Sequence, residues 1–308
     1  METRKYQIIR DDEHKIEYEG KTLYRIQALR DVSTRVKAGD LGGYIENESN
    51  LSQHGECWID GDAKVFDDAK VFDDALVLGK STVHEKAKVY DATRISDRAD
   101  IKGSAKIHGY NSMVFGNSVV MDNAKVFGNA RVLGNTLVSD NAKVMGNAFV
   151  NSAYIKGESI VGDVTFVYKN TIIEGNVIIK GRSKIGPNSV ISGNLDNTWI
   201  IDGISFDEWA NIGGPNDLLY IDNIGNLIIT AYKQSLSMFK LKSVLKPEEF
   251  LRIVVDNPNK LEHVFSGTFS EYLRWINQNY EHTTKGPYAE HMLVAQLIHH
   301  KFGIILNK

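Results

Sequence analysis

"DAKVFDDAKVFDDALVL" (residues 62–78) holds two nearly identical six-residue blocks and a close third, with valine at every sixth position and alanine four residues after it. An α-helix returns to one face every three to four residues and a strand every two. A period of six fits neither alone. It fits a short strand followed by a corner, used again and again.

The aliphatic position extends in both directions. It recurs from Ile59 through Val65, Val71, Val77, Val83, Val89, Ile95 and Ile101 to Ile107. One residue is then inserted ("GYNSMV", 109–114), and the series resumes from Val114 to Val150. One residue is then missing ("NSAYI", 151–155), and the series runs on from Ile155 to Ile191. Four residues after most of these positions sits a small side chain, as at Ala63, Ala69, Ala75, Ser81, Ala87, Thr93 and Ala99. The aliphatic side chain points inward, its two neighbours point outward, and the small residue fills a tight corner. Gly, Asp and Asn lie between, with Asn117, Asn123, Asn129, Asn135, Asn141 and Asn147 spaced by six. These types tolerate the positive φ that a sharp corner needs. Three strands and three corners close a coil of 18 residues, so the hexads predict seven to eight coils stacked as parallel strands about 4.8 Å apart. The insertion and the deletion are expected to bulge a corner without shifting the register.

With 18 residues per coil, hexads three apart share a face. One face carries two outward rows: Lys70, Lys88, Lys106, Lys125 and Lys143, and beside them Phe72, Tyr90, His108, Phe127 and Met145. The other two faces keep no such uniform pair; one reads Phe66, His84, Lys102 and Met121 at the corresponding position. Ammonium groups about 5 Å apart repel by under about 1 kcal/mol per neighbouring pair in water. Three readings of the face stand side by side. Duplicated hexads copied their lysines and the face is solvated, or the face is a self-association seam of a trimer or dimer, or it receives an acidic protein, a nucleotide or a single strand of nucleic acid.

The totals narrow the classes. The chain has 308 residues, 42% of them apolar, and a formal charge of −3 from 36 basic and 39 acidic side chains. That balance argues against a dedicated electrostatic binder of nucleic acid. Cys57 is the single cysteine, so no internal disulfide forms, and a small buried role is expected for it. Charges follow Met1 and no run of 18 apolar residues occurs, so a soluble, cytoplasmic protein with no membrane partner is expected. His84 and His108 are the two histidines of the repeat. They are 24 residues apart, on different faces, and neither has an acid at triad-like spacing. No metal-ligand spacing occurs, and His263, His282, His291, His299 and His300 read as solvated or capping residues. No cofactor, metal or catalytic residue is expected.

Residues 1–58 precede the hexads and read as an N-terminal cap, with short strands at "YQII" and "KTLYRIQAL". Residues 59–194 form the solenoid, and residues 195–308 a small α+β domain. In the latter, "WIIDGISF" and "LLYIDNIGNLIITAY" read as strands, the second a hairpin at residues 223–226. Three helices are predicted: "KPEEFLRIVVDN", with Phe250, Ile253 and Val254 on one face; "GTFSEYLRWINQNY", opened by a Thr268–Glu271 capping box; and "PYAEHMLVAQLIHHKF".

The hexads resemble the left-handed parallel β-helix of hexapeptide-repeat proteins. The ends sharpen the likeness. "VKAGDLGGYIENESNLSQHGECWIDGDAKVF" (36–66), "FSGTFSEYL" (265–273) and "YAEHMLVAQLI" (288–298) are similar to a family of phage- and prophage-borne β-helix proteins; residues 238–261 depart from it as an insertion. The resemblance implies a mainly β fold and a bacterial host cell. It points to a non-catalytic protein that binds a host protein or complex, with inhibition of a host defence system by occlusion or sequestration as the natural specific form. It also keeps open a hexapeptide-type acyl-CoA-dependent acyltransferase and a small-nucleotide sponge.

Overall fold

The computed structural model describes residues 4–193, 199–202, 205–206, 211–212, 218–224, 227–233, 251–257, 262–280 and 287–302. The chain is mainly β: a parallel β-solenoid of about eight turns and a small C-terminal domain with two helices. It divides into two compact units, Met1–Val164 and Thr165–Lys308.

In the first unit, two-residue strands stack in the predicted register. Lys70–Val71, Lys88–Val89, Lys106–Ile107, Lys125–Val126 and Lys143–Val144 pair in parallel, residue for residue. Leu76–Val77, Arg94–Ile95 and Met113–Val114 stack likewise, as do Thr82–Val83, Asp100–Ile101 and Val119–Val120. The aliphatic hexad positions from Ile59 to Val161 are buried, and the small corner residues are buried with them. Each such side chain withdraws its apolar surface from water, worth roughly 1.5–3 kcal/mol per fully buried valine or isoleucine. The inserted residue leaves Tyr110 84% exposed at a bulged corner. Arg94 still pairs with Met113 and Ile95 with Val114, so the register survives as expected. The deletion is absorbed at Ser152, with φ 54°, and Val138 still meets Ile155.

The corners differ from the sequence reading in one respect. The residues at positive φ are Gly116, Asp122, Gly128, Gly134, Asp140 and Gly146, each immediately before an asparagine of the six-spaced run. The asparagines are exposed, and four of them hydrogen-bond in pairs a turn apart: Asn117 Nδ2 donates to Asn135 Oδ1 and Asn129 Nδ2 to Asn147 Oδ1, both at 3.0 Å, while Asn141 Nδ2 donates to Glu158 Oε1 at 2.6 Å. The acids at positive φ have their own task. Asp91 Oδ2 accepts from the Gly109 amide (2.8 Å), Asp97 Oδ2 from Gly116 (2.9 Å) and Asp140 Oδ2 from Gly157 (2.8 Å), in each case reaching the next corner. A carboxylate thereby satisfies a backbone donor that the strand ladder leaves free.

The first turn begins earlier than Ile59. Tyr6–Ile8, Lys15–Tyr18 and Leu41–Ile45 all pair antiparallel with Lys21–Ala28, and Leu41–Ile45 also pairs in parallel with Lys64–Val65. This one strand joins the antiparallel cap to the solenoid. Its Gly42 and Gly43 are demanded by close approach. A Cβ on Gly43 would lie 2.6 Å from Ala63 O and from Ile59 Cγ2, and one on Gly42 2.6 Å from Ile59 O. The cap is sealed by Lys5, fully buried, whose Nζ donates to Cys57 O (2.8 Å) and His54 O (3.2 Å) and lies 3.0 Å from Cys57 Sγ. Burial holds the Lys5 ammonium below the ordinary lysine range and pushes the Cys57 thiol up.

In the second unit the ladder outlasts the hexads. Val177–Lys180 pairs in parallel with Trp199–Asp202, Lys184–Ile185 with Ser205–Phe206, and Val190–Ile191 with Asn211–Ile212. A four-stranded antiparallel sheet follows: Leu218–Ile224, Leu227–Lys233, Leu251–Asn257 and Glu262–Thr268. The first two strands form the expected hairpin. The third corrects the reading of "KPEEFLRIVVDN" as a helix: Leu251–Asn257 is a strand paired on both edges. The run Ile253-Val254-Val255 is β-branched throughout, and central-strand packing wins over a weak helical stripe. Phe250 and the rest of the 238–261 insertion, Leu251–Asn257 apart, lie outside the described residues.

Helix α1 (Phe269–Asn279) opens as predicted. Thr268 Oγ1 accepts from the Glu271 amide, and Glu271 accepts from the Thr268 amide at 2.7 Å. Phe269, Tyr272 and Ile276 are buried against Val294, Ala295 and Ile298 of helix α2 (Pro287–Phe302). His291, expected to be solvated or capping, is instead buried in this core, its Nδ1 2.7 Å from Tyr272 Oη. Burial lowers its pKa to about 4, so it stands neutral at neutral pH.

Candidate binding face

The five lysines of the uniform row share one side of the solenoid. Lys88 is directly opposite Lys70 and Lys106, and Lys125 opposite Lys106 and Lys143. The row is bounded above and below. Ile160 takes the position after Lys143, and the bridge of Leu51 to Val71 puts the buried Asn50 at the other end. Lys70 and Lys88 are exposed, and the other three half-buried. Among the described residues none of the five has an ion-pair partner. A row of like charges at strand spacing is held in place by the valines and isoleucines beside it, which are buried.

The companion row is a ring column. Phe72 and Tyr90 stack at 4.8 Å and 4°, Tyr90 and His108 at 4.9 Å and 1°, His108 and Phe127 at 5.1 Å and 2°. Met145 takes the next place by register. The ring separation is the strand separation, so the fold itself aligns the column. Burial lowers the pKa of His108; Asp91, 3.7 Å away, opposes this, and Lys125 and Lys106 add to it.

This geometry decides what the face can touch. A base inserted between two rings needs about 7 Å, two stacking distances, and the column is closed at 4.8–5.1 Å. The ring faces are consumed within the column, leaving edges outward. What remains for a partner is a strip of unpaired ammonium groups next to a ring-edge ridge.

A second constellation lies on a neighbouring face. Phe66 stacks on His84 at 4.8 Å, and Tyr18 from the cap meets Phe66 edge-on at 5.7 Å. Asp100 Oδ1 accepts from Thr82 Oγ1 (2.6 Å) and lies 3.0 Å from His84 Nε2, while its Oδ2 is 2.9 Å from Lys102 Nζ. The sequence places no acid at triad-like spacing from His84, but the fold brings one to it: Asp100, sixteen residues along, is its partner. Sixteen is one coil less two, a diagonal neighbour that triad-like spacing along the chain does not reveal. Burial opposes ionisation of Asp100, but the donors from His84, Thr82 and Lys102 outweigh it and hold the carboxyl well below its usual range. Burial likewise opposes protonation of His84, and Asp100 reverses that, raising its pKa. His84 and His108 do lie on different faces, as expected.

The chain matches no protein-family model, and no curated protein is significantly similar to it in sequence.

Among the described residues no three acids, histidines or cysteines gather as a metal site, and no helix is long and apolar enough to cross a membrane. The lysine and ring rows were legible from the 18-residue coil. Thr82 and Asp100, also 18 apart, could have been found the same way. Tyr18 and Glu19 could not, because nothing in the repeat says where the cap's hairpin lies.

Proposed function

We propose that this is a non-catalytic binding protein whose lysine row docks an acidic surface of a partner protein. The observation that carries the reading is the row of five lysines, in strict register and without ion-pair partners among the described residues. Unpaired like charges cost stability, and a partner's carboxylates would offset that cost. The closed ring column favours a protein over a nucleotide or single strand, because stacking on a base needs a free ring face. The phage-like ends point to a protein of the bacterial host, with occlusion or sequestration of a defence component as the specific form.

The test is capture from bacterial lysate with the full chain and with the Lys88→Glu/Lys106→Glu/Lys125→Glu variant, alongside the oligomeric state of each. Salt-sensitive capture of an acidic protein by the parent, lost in the variant, supports the reading. Capture that survives charge reversal refutes it, and a loss of oligomeric state alone assigns the row to self-association. Acetyl-CoA turnover by the full chain would assign the protein to the acyltransferases instead.

A further inference from the structure

The geometry points to a second binding site, independent of the lysine row: a cleft under the turn of the cap's hairpin that takes a small sugar phosphate. The cleft is open to solvent, has a volume of about 400 Å³ and is lined by Tyr18, Glu19, Lys80, Thr82, Arg98 and Asp100. That volume suits a small polar metabolite.

Its floor is built by the solenoid. Lys80 and Arg98 are one coil apart: the Lys80 amide donates to Asp97 O, and the Arg98 amide to Gly116 O. They stand at the same corner of consecutive turns, so two cations are set side by side. Neither has an ion-pair partner among the described residues. Thr82 and Asp100, two residues further along each strand, are paired residue for residue.

Its roof is the turn at Glu19 and Gly20, which connects Lys15–Tyr18 to Lys21–Ala28. The roof is held at several points. Tyr18 lies edge-on to Phe66 and beneath Lys64 Nζ at 4.9 Å, and Lys21 reaches Asp67 at 2.8 Å and Glu46 at 3.3 Å. The site is therefore formed before any ligand arrives, which lowers the ordering cost of binding.

The unused valences define the ligand. Lys80 and Arg98 offer only donors, in a pair suited to a dianion. Asp100 Oδ1 is filled by Thr82 and His84, but Oδ2 accepts only from Lys102 and keeps an acceptor site. That site, and the lone pairs of the Glu19 carboxylate that the Tyr18 hydroxyl does not fill, call for hydroxyl donors. Phosphate alone answers the cations, and a free sugar alone answers the acids. A phosphomonoester of a polyol answers both.

Isothermal titration of the full chain with ribose 5-phosphate, ribose and inorganic phosphate tests this. Saturable one-to-one binding of ribose 5-phosphate is expected, at least about tenfold tighter than phosphate, with a loss of about tenfold in Lys80→Ala and again in Arg98→Ala. Both positions are exposed, and unchanged thermal melts would show that the variants fold. Three results would each overturn the proposal: no saturable heat up to about 10 mM, phosphate binding as tightly as the ester, or binding that persists in the double variant. None of these bears on the lysine row.

Discussion

Reversing one charge in the lysine row should stabilise the fold while weakening partner capture. Lys88 has a lysine on each side in register, Lys70 and Lys106. Lys88→Glu exchanges two repulsions for two attractions. At about 5 Å in water each such pair is worth roughly 0.8 kcal/mol, so the ceiling of the change is about 3 kcal/mol. The real gain is smaller: Lys70 and Lys88 are exposed, so their tips splay apart and ordering them costs side-chain entropy. Exposed pairs measured singly fall at 0.2–1 kcal/mol, so about 1 kcal/mol is expected at low salt. For a unit of this size that raises the melting temperature by about 2–4 °C. In 1 M salt the screening length falls to about 3 Å and the gain should vanish. Thermal melts of parent and variant in about 10 mM and 1 M sodium chloride make the comparison. A variant no more stable than the parent at low salt, or a gain that persists at high salt, would refute the argument that the row is electrostatically strained.

The other expectations rest on different parts of the molecule. Asp100→Asn should destabilise the first unit by about 2–4 kcal/mol at neutral pH, because His84 and Lys102 lose their shared carboxylate. Since the folded-state pKa of Asp100 is depressed, its contribution is present above the unfolded carboxylate pKa of about 3.9 and is lost as pH falls below it; acid titration of the variant should lose that part of the slope. Gly43→Ala should prevent docking of the cap, since the new Cβ would meet a backbone oxygen at 2.6 Å; a native-like melt would refute the close-approach reading. Thr268→Ala should cost about 1 kcal/mol in denaturant unfolding through loss of the α1 capping box. Inserting a second copy of residues 70–87 after Ala87 adds one full coil, and the lengthened chain should fold with a sixth lysine and a fifth ring in line. An insertion of twelve residues should instead rotate the later faces and break the column, measured by loss of partner capture.

What the sequence revealed follows from where the information is local. The period of six states which side chain is inside, because only an inward aliphatic residue at each strand centre and a small one at each corner can close a coil. Lys88 opposite Lys106 is then arithmetic, and so is the ring column. The solenoid's ends were less legible. The first coil runs through "LGGYI", where no hexad is visible, because strand pairing and close approach replace the small-residue corner. The last coil, at Trp199–Asp202, Ser205–Phe206 and Asn211–Ile212, keeps the ladder after the hexad is lost, because backbone pairing tolerates a change of side-chain pattern. Ile253-Val254-Val255 was misread because three apolar residues in succession fit a helix face and a buried strand alike. Burial of His291 depended on helix packing that one helix's sequence does not contain.

The two candidate sites differ in a way that follows from the fold. In the lysine row and ring column each position repeats the chemistry of the one before, so the surface is long, flat and uniform, suited to an extended partner. The cleft arises where that uniformity is broken, at Lys80, Thr82, Arg98 and Asp100, and where a hairpin from outside the repeat closes over it. A solenoid turn alone cannot make a concave site, since all its outward positions point away from one axis. Concavity requires a second element, and at this cleft the turn at Glu19–Gly20 supplies it. The uniform face should therefore tolerate conservative change at any single lysine, because the remaining four keep the charge pattern. The cleft should not, because its other nearby cations are already engaged, Lys102 with Asp100 and Lys64 over the Tyr18 ring, and Lys80 and Arg98 have no ion-pair partner among the described residues.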